Sequence, residues 1–231
     1  MPDLPDIART EIAIIEMTNV FRHEQKLAAV KRNKELDLAA RLFAEYLAKT
    51  GKFAHEADGR QPSHRAKAAG YQFCMIAENL ASHLDSRGFT TPGLAGAAIE
   101  GWKNSPGHRK NMVQPNVTEI GVGVARAPGS DPKFLSVQLF GRPDSLKYHF
   151  KIENKAGVSV TYSVFGNKNT IEPRVNVTHT ACEPGEVVFE KPGGWFSGPK
   201  VEAKFQARDG AVFTLTAGPD KNVQVNVQPG R

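Results

Sequence analysis

The amino-acid sequence predicts an α+β protein in which helices cover a small β-sheet, followed by a separate all-β module. Three observations lead to this prediction: helical spacing of apolar residues near the start, two strand-like runs before residue 143, and strict alternation of apolar and polar residues after Leu146. The change of pattern near Pro143 places the predicted domains at residues 1–143 and 146–231. With 40% hydrophobic and 23% charged residues, the 231-residue chain has a globular composition.

Three helices are predicted in the first seventy residues. Apolar residues recur at helical spacing between Ile7 and Gln25, which indicates an amphipathic helix. A second helix is expected from about Glu35 to Thr50, where Gly51 can cap it. After a polar loop, a short helix is predicted for residues 63–69, before Gly70.

Two further helices start with a hydroxyl residue followed by proline. Thr91-Pro92 and Ser105-Pro106 have this pattern, which is typical of a helix start because the hydroxyl caps and the proline fits the first turn. His108 then lies in the first turn of the second helix, near free backbone N–H groups. The sheet is expected from three runs of strand-like sequence, residues 74–80, 118–125 and 133–140.

The C-terminal module is predicted to be an antiparallel β-sandwich or a small barrel. Its alternating runs are Tyr148 to Ile152, Val158 to Val164, Val187 to Phe189, Val201 to Phe205 and Val212 to Thr216. Asp209-Gly210 is predicted to form a two-residue hairpin turn between the last two runs.

Composition restricts the classes of partner. Lys and Arg give a net charge of +6, but they are interleaved with acidic residues, so we expect a solvated surface and no nucleic-acid binding. No run reaches the roughly 18 apolar residues of a membrane span, and Met1 to Asp6 lacks the pattern of an export signal.

The two cysteines, Cys74 and Cys182, are too few for a disulfide framework. The sequence is compatible with two buried thiols and with a single disulfide bridge between them. The sequence does not predict the oligomeric state.

Two histidines and one carboxylate are the strongest candidates for a functional site. His55, Glu78 and His108 lie on three separate predicted segments. If the fold brings them to one cleft, imidazole and carboxylate side chains can bind a metal ion or transfer protons.

Several motifs in a fixed order resemble the CAP superfamily, which includes cysteine-rich secretory proteins, antigen 5 and pathogenesis-related proteins, in its bacterial SCP-like form. The motifs are Asn19-Val20-Phe21-Arg22, Phe53-Ala54-His55, Ala77-Glu78-Asn79-Leu80, Pro106-Gly107-His108-Arg109, Gly121-Val122-Gly123-Val124 and Gln138-Leu139-Phe140-Gly141. The resemblance covers residues 10–142 and implies a three-layer α/β/α sandwich in an extracellular or periplasmic protein. The C-terminal module resembles no family that we recognise.

The resemblance also implies a cleft lined by two histidines and usually two acidic residues. His55, Glu78 and His108 match three of these positions. Where many members have a glutamate shortly after the tryptophan, this chain has Trp102-Lys103-Asn104, so Glu100 is the acidic residue left for the fourth position.

Several functions are compatible with this cleft. We favour a site that binds a ligand or a divalent metal, and His55, His108 and Glu78 are a reasonable set for zinc. A hydrolase that uses metal-bound water or a His–Glu base is a second possibility, although Ser105 is better explained as a helix cap than as a nucleophile. In a third possibility, the protein binds a lipid, a sterol or a cell-wall polymer, and the polar residues of the cleft have a purely structural role. The sequence does not decide whether the protein is an enzyme.

Overall fold

The computed structural model describes residues 4–191, 200–218 and 222–230. The chain forms two compact units, Met1–Ser145 and Leu146–Arg231. Within the described residues, no helix is both long enough and apolar enough to span a membrane.

The N-terminal unit combines helices with a four-stranded sheet. The helices are α1 (Ile7–Glu24), α2 (Lys34–Thr50), α3 (Pro62–Ala68), α4 (Thr91–Lys103) and α5 (Pro106–Met112). The strands are β1 (Lys31–Arg32), β2 (Phe73–Leu84), β3 (Glu119–Arg126) and β4 (Lys133–Pro143), in the sheet order β1-β3-β4-β2. β1 pairs with β3 in parallel, and the other pairs are antiparallel.

Two hydrophobic cores separate the helices from the sheet and confirm the three-layer arrangement. On one face, α1 and α4 pack against residues such as Val122 and Phe140, with Trp102 fully buried among them. On the other face, α2 packs against Val137 and Leu139. Successive residues of a strand face opposite sides of the sheet, so β3 and β4 contribute to both cores. The predicted α+β class is therefore confirmed.

Gly121 and Gly123 let α2 lie very close to the sheet. A Cβ atom at either position would overlap the backbone of α2, at Leu36 for the first glycine and at Arg41 for the second. The valines that alternate with them face α1 instead. The Gly-Val-Gly-Val sequence is thus explained by unequal packing distances on the two sides of β3.

Two buried carboxylates close the free edge of β3. The Asp37 carboxylate accepts a hydrogen bond from the backbone N–H of Val122 at 3.0 Å, and Glu11 accepts one from Val124 at 3.2 Å. Arg41 donates to both oxygens of Glu11, at 3.2 and 2.6 Å. Side chains from both helical layers therefore satisfy backbone donors that have no neighbouring strand.

The helix starts differ slightly from the predictions. The side chain that caps α4 belongs to Thr90, whose Oγ1 accepts from Gly93 N–H at 3.2 Å, so the cap lies one residue before the predicted Thr91. Ser105 does occupy the N-cap position of α5, but its side chain makes no capping hydrogen bond. The explanation of its hydroxyl as a cap is therefore wrong. By contrast, α2 ends as predicted at Gly51, which has a φ of 71°.

The C-terminal unit consists of two four-stranded sheets. Its strands are β5 (Tyr148–Lys155), β6 (Val160–Val164), β7 (Asn167–Ile171), β8 (Asn176–Ala181), β9 (Glu186–Lys191), β10 (Lys200–Gln206), β11 (Val212–Ala217) and β12 (Val223–Gln228). The sheet orders are β10-β9-β6-β7 and β12-β11-β5-β8, around one hydrophobic core.

The predicted hairpin at Asp209-Gly210 is wrong. β10 and β11 belong to different sheets, so these residues connect the sheets instead of joining paired strands. Two hydrogen bonds to His149 of β5 fix this turn. Asp209 Oδ1 accepts from the backbone N–H of His149 at 2.9 Å, and the Gly210 N–H donates to the backbone oxygen of His149 at 2.7 Å. β7 and β8 were not predicted because most of their residues are polar, whereas β12 was missed although Val223, Val225 and Val227 alternate with polar residues.

Candidate functional site

The three candidate residues lie on three different elements of the N-terminal unit. His55 is in the exposed loop between α2 and α3, Glu78 is on β2, and His108 is in the first turn of α5. His55 Nδ1 lies 2.8 Å from Glu78 Oε1. The side chain of Glu78 is only 1% exposed, whereas that of His55 is 51% exposed. The structure thus joins a buried carboxylate to an imidazole that is open to solvent.

Arg65 of α3 holds this pair in place. Its Nη2 atom donates to both oxygens of Glu78, at 3.1 and 2.8 Å, and to the backbone oxygen of His55 at 2.9 Å. Its Nη1 atom donates to Asp58 Oδ1 at 2.8 Å and to the backbone oxygen of Arg60 at 2.7 Å. One guanidinium group therefore fixes both the carboxylate and the loop that carries His55.

The Arg65 guanidinium also packs on an aromatic ring. Its central carbon lies 3.5 Å from the centroid of the Phe43 ring, on α2. Cation–π contact adds to the hydrogen bonds and restricts the side chain from a second direction. Arg65 forms ion pairs with both Asp58 and Glu78.

The hydrogen bonds around Glu78 determine how His55 presents its ring. Burial raises the pKa of the Glu78 carboxyl, and the charges and hydrogen bonds of Arg65 and His55 offset part of this shift. Because both oxygens accept from the guanidinium group, the ionised carboxylate is the form that these contacts stabilise. A carboxylate beside Nδ1 requires a proton on that nitrogen, so a neutral His55 has its lone pair on Nε2.

His108 is half-buried and lies within electrostatic range of His55. Burial, and then the charge on His55, lower the pKa of the His108 imidazole. The neutral form of His108 is therefore favoured when His55 carries a proton. The structure thus brings all three predicted residues into one neighbourhood.

A buried network of amide side chains lies behind these residues, and its role was not predicted from the sequence. Asn79 of β2 donates to the backbone oxygen of His108 at 3.1 Å and to Gln138 Oε1 at 2.9 Å. Asn111 of α5 donates to Asn79 Oδ1 at 2.9 Å and to the backbone oxygen of Glu78 at 3.1 Å. In the sequence, Asn79 and Gln138 stood out only as parts of motifs; the signal that could have identified them is an amide side chain inside an otherwise apolar strand.

Glu100 is not part of this group. Its side chain is 60% exposed, and its Oε1 accepts from Lys103 Nζ at 2.8 Å. Trp102, two residues further along α4, is buried and donates from Nε1 to the backbone oxygen of Leu80 at 2.9 Å. Residues two apart lie on nearly opposite sides of a helix, so burial of the tryptophan turns Glu100 towards solvent. We therefore correct its assignment to the fourth acidic position of the cleft.

The predicted zinc set is not arranged as a three-ligand centre. Among the residues that the structure describes, no group of three or more His, Cys, Asp or Glu side chains could hold a metal ion. Glu78 is engaged by Arg65 and His55, so its oxygens are not free to bind a cation. The nitrogen donors that Glu78 leaves available are Nε2 of His55 and the imidazole of His108.

An apolar groove of about 400 Å³ lies between α2 and α3. Its lining includes Leu38 and Leu42, which are 45% and 56% exposed, together with the ring of Phe43. Asp58, Arg60 and Arg65 give the groove its charged residues. Arg65 therefore contributes both to this groove and to the His55–Glu78 pair.

Comparison with known proteins agrees with this fold. The sequence matches the Cysteine-rich secretory protein family (CAP) over residues 15–140. It is 30% identical over 118 residues to the uncharacterized protein YkwD of Bacillus subtilis, covering 51% of this chain and 43% of YkwD. It is 29% identical over 119 residues to the uncharacterized membrane protein YlbC of the same organism, covering 51% of this chain and 32% of YlbC. The chain thus spans less than half the length of these relatives.

Two solved structures show the same fold at low sequence identity. One is an extracellular protein containing a SCP domain from Bacillus anthracis, with a TM-score of 0.50 and 23% identity, covering 59% of this chain and 41% of that chain. The other is an outer surface protein from Borrelia burgdorferi, with a TM-score of 0.50 and 20% identity, covering 58% of this chain and 93% of that chain. With the family match extending over more than half of the sequence, this chain belongs to the Cysteine-rich secretory protein (CAP) family.

Proposed function

We propose that this chain acts outside the cytoplasm and binds a ligand or a divalent transition-metal ion through the imidazoles of His55 and His108. The contact between His55 Nδ1 and Glu78 Oε1 is the observation that carries the proposal. It directs the other ring nitrogen of His55 outwards as a hydrogen-bond acceptor or metal ligand. The proposed location rests on relatives that are described as extracellular or outer-surface proteins.

The donor chemistry suits an ion that prefers nitrogen ligands. Two neutral imidazoles favour zinc, copper or nickel over magnesium or calcium, which prefer oxygen. Two carboxylates, those of Asp58 and Glu78, neutralise the positive charge of Arg65. Arg65 should therefore not repel the proposed cation. A bound ion would supply a Lewis acid to a polar ligand in the cleft. The role of this chain's own residues is to hold the two imidazoles in place.

Zn²⁺ binding to the full chain tests this proposal directly. We expect binding by isothermal titration calorimetry in the wild type, a weaker but measurable affinity in His55→Ala and in His108→Ala, and loss of binding when both are replaced. Glu78→Gln should weaken binding about 10–100-fold, as is typical for carboxylates that orient a histidine ligand. His64→Ala is the matched control, because His64 is exposed on the neighbouring helix α3 and should not matter. Equal Zn²⁺ affinity in the wild type and the His55→Ala/His108→Ala double variant would refute the proposal.

The groove between α2 and α3 favours a second candidate, binding of an acyl chain with an anionic head group. Its apolar lining would take the chain, and Arg60 has no ion pair with any residue that the structure describes, so it can meet the head group. Each buried methylene group adds about 0.8 kcal/mol, so affinity should rise from octanoate to dodecanoate. Leu42→Gln should abolish this trend, whereas Leu84→Gln, at an exposed leucine of β2, should not. Affinities that do not vary with chain length would exclude this candidate.

A further inference from the structure

A continuous chain of side-chain hydrogen bonds connects α1 to α5 along one face of the sheet. Thr18 of α1 donates to the backbone oxygen of Ile14 at 2.7 Å and accepts from Gln138 Nε2 at 2.8 Å. Gln138 Oε1 in turn accepts from Asn79, at 2.9 Å. Thr18, Asn79 and Gln138 are all completely buried. The members come from α1, β4 and β2, and their side chains lie on the face of the sheet that α1 and α4 cover.

Asn79 is the central member of this chain, and both of its amide hydrogens and its oxygen are engaged. Its Nδ2 has two hydrogens, one for the backbone oxygen of His108 and one for Gln138 Oε1. Its Oδ1 accepts from Asn111 Nδ2. No other side chain of this size offers two donors and one acceptor in this arrangement. A buried group that is satisfied in this way has one favourable orientation.

We propose that Asn79 is a positioning residue of the cleft: it fixes the main chain at His108 and thereby sets where the second imidazole lies. This inference rests on the proposed function, because it assigns Asn79 a role in binding at His55 and His108. α5 has only seven residues, and the side chain of its N-cap residue Ser105 makes no capping hydrogen bond. The first turn of such a short helix depends on contacts from outside it. The bond from Asn79 to the oxygen of His108 is such a contact.

The substitution Asn79→Asp separates this role from simple packing. It keeps the size of the side chain but replaces the donor with a second oxygen, which would face the backbone oxygen of His108 at about the same distance. Gln138 can turn its amide round to donate to the new carboxylate, but the main chain of His108 has no such alternative. A nearby negative charge would by itself strengthen the binding of a cation, so weaker binding could not be attributed to charge.

The test is a double-mutant cycle on Zn²⁺ affinity with the full chain. Asn79→Asp should weaken binding about 10–100-fold, the usual effect of residues that support a metal ligand. In the His108→Ala background the same substitution should have no further effect, because Asn79 acts through His108. Asn104→Asp, an exposed position at the end of α4, is the control for the added charge. Unchanged affinity in Asn79→Asp, or an equal loss in the His108→Ala background, would overturn the inference.

Hydrogen exchange provides a readout that needs no ligand. Backbone amides of residues 107–112 should exchange at least about tenfold faster in Asn79→Asp, while those of α3 should be unchanged. If the wild type binds no Zn²⁺, the proposed function fails, and exchange alone decides the role of Asn79: unchanged exchange in α5 rejects it. Should Asn79→Asp not fold, Asn111→Ala removes the bond to Asn79 Oδ1. Because Asn111 is only half-buried, this variant should fold, and its α5 amides should exchange faster. Unchanged exchange there would equally reject the inference.

Discussion

Substitution of Arg65 by methionine should be among the most destabilising changes near the cleft. Methionine keeps an apolar, polarisable contact with the ring of Phe43, so the main loss is the charge. The side chains of Arg65 and Glu78 are 6% and 1% exposed, so the substitution leaves a buried carboxylate without its guanidinium partner. Breaking a buried ion pair in this way costs about 3–5 kcal/mol.

Removing the stranded carboxylate as well should restore much of this loss. In Arg65→Met/Glu78→Leu the fully buried charge is gone and the carboxylate left without a partner is that of Asp58, which is 16% exposed, so the double variant should be more stable than Arg65→Met by about 2 kcal/mol. Arg87→Met is the matched control, since Arg87 forms an exposed ion pair with Asp85 and its loss should leave the unfolding midpoint unchanged.

The assay must follow the N-terminal unit alone, because a chain with two compact units need not unfold in a single step. Urea unfolding is therefore monitored by pulsed hydrogen exchange in peptides from α2 and β2. The reasoning would be refuted if Arg65→Met cost less than about 1 kcal/mol, or if the double variant were no more stable than the single one.

Three further predictions concern the packing, the sheet edge and the response to pH. Gly123→Ala should cost about 3 kcal/mol or more by urea unfolding, because its Cβ overlaps the backbone of α2, whereas Gly107→Ala, with open space around it, should be nearly neutral. Glu11→Gln should cost about 1–3 kcal/mol and speed exchange of the Val124 amide, and unchanged exchange would show that the carboxylate does not protect this edge. The pKa of His108 is lower in the folded chain than its ordinary value, so its contribution to stability is complete above about pH 6.5 and is lost as the pH falls through the folded-state pKa. His108→Gln should therefore lose less stability than the wild type between pH 7 and pH 5 when unfolding of the N-terminal unit is followed, and an equal loss would contradict this.

The sequence predicted the helices well because each has a local signal. The apolar spacing in α1 and the glycine after α2 depend only on neighbouring residues, and both helices end within one residue of the prediction. β1 was missed because two residues carry no periodicity, and it exists only through its pairing with β3. β2 extends to Leu84, beyond the predicted end at Leu80, because its length is set by pairing with β4 along the whole strand.

Only part of the candidate site could be predicted, because the sequence carries local signals but not tertiary contacts. Motif order identified His55, Glu78 and His108, but their hydrogen-bond partners follow from tertiary contacts that leave no local pattern. Asn79 was visible only as part of a motif and Arg65 only as a residue of the predicted third helix; their contacts depend on where α3 and α5 lie beside the middle of β2. Glu100 was misplaced because the direction of a side chain on α4 is set by the burial of its neighbours.

The two imidazoles of the cleft are held by supports of different chemical kind. Hydrogen bonds to ionised groups, Glu78 and Arg65, hold the His55 side of the cleft, whereas hydrogen bonds from neutral amides hold the His108 side. Amides do not titrate, but burial brings the pKa of Glu78 above its usual value, and protonation would weaken its contacts with both Arg65 and His55. Acidification should therefore weaken the contacts that hold His55 and leave the hydrogen bond from Asn79 to the main chain of His108 intact.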